Sequence, residues 1–354
     1  MKTLDLLHRW IGGIFGLVLA LLGLSGAILV HEDVWIMLPH AGDARVADSA
    51  QIAATVERIM ADPAARPRSI SFASDDFGLH RLSFKDDAGA YVDQAGNLVT
   101  RWSSQWERPE LWLFDFHHHL FAGDTGEIVV GLAGLAGVFF AVSGVFLWWR
   151  TRKTFEFRLW PRRISRPAIV RQHRDLGIVV APLVLLVTFT GAAMVFRPVS
   201  ALVLGPSAPA AIAKAGKAPK VEKTELAERY DWQAVIATAH ARFPDAQLRT
   251  LSLPRQNNGL VTLRMKQPGE WLPNGRTMLY FAADSGRLVE ARDALALPAP
   301  VRGYYTFYPL HAAKVGGLVY RLVMTAVGLA LVLLGSLAVW SFWFRRGTVG
   351  PRIS

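Results

Sequence analysis

The chain has 354 residues, 52% of them hydrophobic, and a net charge of +11. It contains no cysteine, which excludes thiolate-held iron–sulfur clusters and disulfide-stapled domains. Its apolar residues gather in four windows, 10–30, 128–149, 178–196 and 318–344, each long enough to cross a hydrocarbon core that needs about 20 apolar residues in a helix. A soluble chain of this size would not repeat such runs, so the expected class is a mainly α membrane protein, a four-transmembrane-helix bundle.

In chain order, residues 1–31 are expected to form the first transmembrane helix. Its apolar run exceeds the roughly 7–15 residues of a secretory signal, and no small-x-small cleavage site precedes His31-Glu32-Asp33, so it reads as a retained helix. Residues 32–116 read as a small α+β domain: a helix over Ser49–Met60, strands over 68–73 and 79–85, and a hairpin over 91–99 with Gly96 suited to positive φ. Residues 117–150 form the second transmembrane helix, 151–172 a basic loop and 173–197 the third helix. Residues 198–310 contain a connector rich in Ala, Pro and Lys at 208–223, read as flexible. A second α+β domain follows, with a helix over Trp232–Arg242, strands over 247–253, 260–266 and 277–282, and a hairpin through Gly286. Residues 311–346 complete the fourth helix, and 347–354 are a tail.

The charges orient this scheme. Arg150, Arg152, Lys153, Arg158, Arg162, Arg163, Arg166 and Arg171 crowd one short segment against Glu156 alone, while Lys2 and Arg9 sit at one terminus and Arg345, Arg346 and Arg352 at the other. Positive residues near span ends mark the cytoplasmic side, which places both termini inside and both α+β domains in the periplasm. The basic balance reflects this retention pattern, and nothing in it calls for a nucleic-acid partner.

Span, exterior domain, span is thus written twice, an internal duplication with a pseudo-twofold axis along the membrane normal. Four histidines recur in register within it. His8 opens His8-Arg9-Trp10 and His173 opens His173-Arg174-Asp175, while His117 and His311 each precede a run ending in tryptophan and arginine. Facing helices supply paired axial ligands naturally, so His8 with His173 near the inner face and His117 with His311 near the outer face are the candidate axial ligands of two haems b, held without covalent attachment. Arg9 and Arg174 are candidate partners for haem propionates, or else part of the positive-inside signal. His31 and His118 contest the outer site, with His119 beside them. A metal site of three adjacent histidines is disfavoured, because consecutive helical residues point about 100° apart. His40, His80 and His240 read as ordinary surface residues. Glu127 and Arg321, at equivalent repeat positions, suggest an ion pair across the axis. Trp102, Trp106, Trp112, Phe114 and Phe116, with Tyr304, Tyr305, Phe307 and Tyr308, read as an aromatic belt, or less readily as a cleft for a bulky chelate.

The motifs Leu7-His8-Arg9-Trp10-Ile11-Gly12, Leu24-Ser25-Gly26-Ala27, His117-x-x-Leu120-x-x-Gly123, Ser143-Gly144-x-x-Leu147-Trp148-Trp149, His173-Arg174-Asp175-Leu176-Gly177 and Leu310-His311 extend over nearly the whole chain. Together they make it resemble the PepSY-associated transmembrane family, which includes bacterial inner-membrane ferric-siderophore reductases of the ferrioxamine reductase type. The resemblance implies PepSY-like exterior domains and a haem-dependent oxidoreductase whose interfacial histidines fall on His8, His117, His173 and His311. It also implies a periplasmic acceptor, iron(III) in a siderophore or another metal chelate, and a separate cytoplasmic donor: a flavin, a flavoprotein or quinol. The rival expectation is a non-enzymatic, membrane-anchored PepSY protein that binds an envelope peptidase or another partner.

Overall fold

The computed structural model describes residues 2–255 and 258–343. The helices are Lys2–Leu29 (α1), Glu32–Trp35 (α2), Ser49–Met60 (α3), Pro109–His119 (α4), Gly123–Trp149 (α5), Arg166–Val195 (α6), Ala201–Leu204 (α7), Ala208–Ala215 (α8), Trp232–Arg242 (α9), Ala299–Tyr304 (α10), Phe307–His311 (α11) and Gly317–Trp343 (α12). The strands are Ser69–Ser71 (β1), His80–Ser83 (β2), Gly89–Val92 (β3), Leu98–Trp102 (β4), Gln247–Ser252 (β5), Leu260–Lys266 (β6), Thr277–Ala282 (β7) and Leu288–Arg292 (β8). They divide into a helical unit and a sheet-bearing unit.

Four helices of the first unit, α1, α5, α6 and α12, are long and apolar enough to span a bilayer. Each presents two unlike faces. On α1, Trp10, Ile14, Leu17, Leu21, Leu24 and Ile28 recur every three or four residues and are exposed, as a lipid-facing stripe requires. The opposite face carries Gly13, Gly16 and Gly23, all buried. There α1 closes on α12: a Cβ at Gly16 would stand 3.1 Å from the Gly335 carbonyl oxygen, and one at Gly23 would stand 2.7 Å from that of Gly328. Such contact needs glycine on both helices, because in lipid the attraction between helices is mainly close van der Waals packing. The α5–α6 pair is built alike, with Gly134 and Gly137 against Thr188 and Ala192.

Three boundaries differ from the sequence expectation. The third span begins at Arg166 rather than His173, because Pro167, in the first helical turn, is pre-set for helix and needs no N–H partner there. The basic segment therefore shortens, and His173 lies inside a helix rather than at its mouth. The histidines of the other pair lie on short helices that precede their spans. Leu120 and Phe121, with φ of 49° and 59°, break α4 from α5, and Ala313, with φ of 51°, follows α11 before α12. A non-glycine residue in this region costs about 1–3 kcal/mol, so both breaks are imposed by their surroundings. Arg345, Arg346, Arg352, the end of the fourth expected span and the tail 347–354 lie outside the described residues.

The second unit overturns the expectation of two separate α+β domains. One antiparallel sheet runs β4-β3-β2-β1-β5-β6-β7-β8, with β1 paired to β5 through Ile70 opposite Leu251. Ile52, Val56 and Met60 of α3 and Val235, Ile236 and Ala239 of α9 cover one common core. The physical reason is the edge: a three-residue β1 alone would leave its backbone groups unpaired, and pairing with β5 removes an edge from each half. The halves still match element by element. Asp48 and Asp231 accept hydrogen bonds from backbone N–H groups at the starts of α3 and α9. Gly96 and Gly286 take φ of 87° and 68° in the equivalent hairpins, as the turns demand. The connector is corrected in part: its first half is α8, with Ala208 and Ile212 buried beside Val301, so that half is helical rather than flexible.

Candidate functional site

The helical unit brings the four histidines together as two pairs. The ring centroids of His8 (α1) and His173 (α6) are 6.2 Å apart at right angles. Those of His117 (α4) and His311 (α11) are 6.1 Å apart. Four elements thus each deliver one imidazole. The pairs lie at opposite ends of the bundle, since His8 is near the start of α1 while Ser25, which touches His117, is near its end. At 1.5 Å per residue that is about 25 Å of helix axis.

A cavity of about 850 Å³ opens at the first pair, lined by His8, His173, Arg9, Arg174 and Trp148 among others. Glycines make room for it. Gly12 and Gly177 each lie one helical turn beyond their histidine, and a Cβ at either would meet nothing within 4 Å. Lys2, Arg150 and Arg166 also line it, so its mouth is cationic. Sequence reasoning assigned Arg150 and Arg166 to topology alone and did not place them at this site.

Arg174 is more committed than expected. Its Nε donates to Asp175 at 2.7 Å, and its two terminal nitrogens donate to the Thr154 hydroxyl and carbonyl at 2.8 and 2.7 Å. Asp175 is fully buried and also takes Arg158, which pairs with Glu156. The basic segment is thereby tied down onto α6. Among the described residues Arg9 has only a loose contact with Asp5, at 3.8 Å, and is the freer of the two arginines that follow the histidines.

Three of the four imidazoles are also gripped on the Nδ1 side. His8 Nδ1 lies 2.7 Å from the Ser143 hydroxyl, and His117 Nδ1 lies 2.8 Å from that of Ser25. His311 Nδ1 donates to the Val187 carbonyl at 2.9 Å, with the Thr190 hydroxyl 3.3 Å away. A glycine follows each of these hydroxyl residues. A Cβ at Gly26 would stand 3.1 Å from His117 Cε1, and one at Gly191 would stand 3.0 Å from His311 Cε1.

The contesting histidines are engaged elsewhere. His31 Nε2 meets the Thr325 hydroxyl at 2.8 Å, and that hydroxyl donates to the Arg321 carbonyl, so His31 Nε2 is itself the donor. His118 stacks on Phe114 at 4.1 Å, with its ring 5.9 Å from that of His117. His119 bonds Asp115 at 2.9 Å. Among the described residues no three His, Asp or Glu side chains converge as a metal site.

Three other expectations differ from the structure. Glu127 and Arg321, each the fifth residue of its helix, make no ion pair with each other among the described residues. Trp102 is buried in the sheet unit against Tyr91, with Arg108 over its ring, and belongs to a protein core rather than a belt. His80, read as a surface residue, is buried, and its Nδ1 accepts from the Ala73 N–H at 2.9 Å. Burial pushes the His80 imidazole down to about 4.

A bundle of four helices long and apolar enough to cross a membrane, carrying two histidine pairs, defines the class. The chain belongs to the family described as the PepSY-associated TM region, whose model matches residues 6–346. It is also similar to a protein of Pseudomonas aeruginosa named "Uncharacterized protein PA4219", 27% identical over 256 residues. That match covers 68% of this chain and 64% of the relative, so the chain spans under two thirds of the relative's length.

Proposed function

We propose that this chain is a di-haem transmembrane electron-transfer protein of the bacterial inner membrane, an oxidoreductase that reduces iron(III) in a periplasmic siderophore or similar chelate. The observation that carries the proposal is the meeting of two histidine pairs at opposite ends of four spans, at ring separations of 6.2 and 6.1 Å. Two metal–imidazole bonds of about 2 Å each across one ion call for ring centres roughly 6 Å apart. The residues fit haem b: paired imidazoles face each other, glycine-walled space adjoins the first pair, and cations stand ready for propionates. Haem would supply reversible one-electron chemistry at its iron.

The chain's own residues would hold and orient the two groups. His8 and His173 would present Nε2 at the cytoplasmic end, with Arg9, Arg150 and Arg166 meeting the carboxylates. His117 and His311 would do the same at the periplasmic end, and the close glycine-lined packing of α1 on α12 and of α5 on α6 would keep water from the path between them. Two groups are needed, because one macrocycle cannot bridge about 30 Å of hydrocarbon. Each electron delivered turns iron(III) into iron(II), which hard oxygen ligands hold less tightly. Both termini would lie in the cytoplasm, where a flavin, a flavoprotein or quinol is the donor. The sheet unit would be periplasmic, and the two halves would descend from one duplicated ancestor, as their matched hairpins and capped helices support.

The test is spectroscopic. Detergent-purified protein from haem-replete cells should show a Soret band, a sharp α-band on dithionite reduction and about two haems per chain. Ferric chelates should then reoxidise it. His173→Ala should remove one haem and leave the other. A colourless preparation would overturn the reading in favour of a membrane-anchored binding protein.

A further inference from the structure

We propose that Ser25 and Ser143 are positioning residues that lock His117 and His8 in the Nδ1–H tautomer, aiming each Nε2 lone pair at a metal, and that the lack of such a lock at His173 makes the two sites electronically unequal. This rests on the haem reading above. The argument begins with the single proton of a hydroxyl group. Ser143 Oγ lies 2.6 Å from the Phe139 carbonyl oxygen, a separation two oxygens tolerate only with a hydrogen between them, and the carbonyl has none to give. The serine therefore donates there. Its 2.7 Å contact with His8 Nδ1 is then one in which the imidazole donates and Oγ accepts.

Ser25 repeats the arrangement. Its hydroxyl points at the Leu21 and Leu22 carbonyls at 3.0 and 3.2 Å, so His117 Nδ1 donates to it at 2.8 Å. His311 needs no hydroxyl for the same outcome, since its Nδ1 faces the Val187 carbonyl, which only accepts. Three of the four imidazoles thus carry their proton on Nδ1 and keep Nε2 open. Both serines are only 2% exposed, so no water competes for the bond. The same two serines stand on opposite partners: Ser25, on α1, serves the histidine of α4, and Ser143, on α5, serves that of α1.

His173 differs. Its Nδ1 is buried without a hydrogen-bond partner among the described residues, in the cavity that Leu334 of α12 also lines. Around this point α12 carries Gly335-Ser336, the reverse of the Ser-Gly order used elsewhere, and Ser336 is exposed with its hydroxyl on Val332. One residue of displacement turns the hydroxyl about 100° away. An imidazole that donates from Nδ1 is a stronger base at Nε2 and favours the ferric state, so each locked histidine lowers the potential of its iron. The His117–His311 site has two locked ligands and the His8–His173 site has one.

Potentiometric titration of the full-length protein in detergent, read in the α-band and by low-temperature electron paramagnetic resonance, tests this. Ser143→Ala should keep two haems yet raise the midpoint potential of the haem that His173→Ala removes, leaving the other unchanged. Ser25→Ala should do the converse. Ser143→Thr and Ser25→Thr, which keep the hydroxyl, should restore the wild-type potentials and g-values. If Ser143→Ala loses its haem, Ser143→Cys, with a weak acceptor of similar size, should retain it with the same upward shift. Unchanged potentials and spectra in serine variants that keep both haems would overturn this inference alone, whereas absence of haem from the wild type would overturn the reading on which it rests.

Discussion

What an imidazole offers a metal is decided by what holds its other nitrogen and by how closely its ring can approach the opposing helix. His8, His117, His173 and His311 could be picked from the sequence, because they recur in register before or within apolar runs. The residues that hold them were legible only as motifs. Ser25-Gly26, Ser143-Gly144 and Thr190-Gly191 are short and ordinary, and nothing local says that each meets a histidine of another helix. The repeat of hydroxyl residue followed by glycine was the available signal. The glycine has a testable consequence. Gly26→Ala would set a Cβ 3.1 Å from His117 Cε1, and is expected to weaken haem retention at that pair several-fold. Gly42→Ala, in the sheet unit and away from both pairs, meets open space, and should leave haem content within error. Pyridine haemochrome assays of the two variants check both, and equal retention would show that ring approach at residue 26 does not matter.

Elements follow local rules until tertiary contacts overrule them. The helices Ser49–Met60 and Trp232–Arg242 begin and end where capping and pattern place them, because aspartate caps act locally. The start of α6 lies seven residues before His173, where Pro167 marks it. The first turns of α6 matter beyond length, since they carry Asp175 to the arginines of the basic segment. Asp175→Ala would strand Arg158 and Arg174 near a buried site, and removing one partner of such a cluster costs roughly 3–5 kcal/mol. Thermal unfolding in detergent should fall accordingly, and an unchanged midpoint would place these arginines in water. In the sheet unit, His80 is neutral when folded, its imidazole held down to about 4 by burial, while an unfolded histidine titrates near 6.5. Folding therefore excludes a proton between those values, so stability is full above about 6.5 and falls as pH drops towards 4, by up to about 3 kcal/mol. Hydrogen exchange across that range should show the loss, and His80→Gln should flatten it.

For the whole molecule, the decisive event lies in the sheet unit, where the two chain halves form one core. Two independent domains would unfold separately, whereas a sheet joined through Ile70 and Leu251 should unfold as one. Leu251→Ala, at a site with no solvent exposure, should cost about 3 kcal/mol and lower exchange protection in β2 and β3 as well as in β6 and β7. Protection lost only in the second half would restore the two-domain view. In the helical unit, by contrast, composition alone sufficed to count the spans, because a bilayer imposes a length and a polarity that any local window reveals. The amino-acid sequence by itself therefore determined the membrane class and the four spans, and marked four histidines by their register, all properties carried by periodicity or composition. Tertiary structure decided which histidines face each other, which hydroxyls orient them, where the helices break before the spans and that one sheet replaces two domains. Those outcomes depend on groups far apart in the chain, whose meeting is settled by packing, shared edges and single protons rather than by any local pattern.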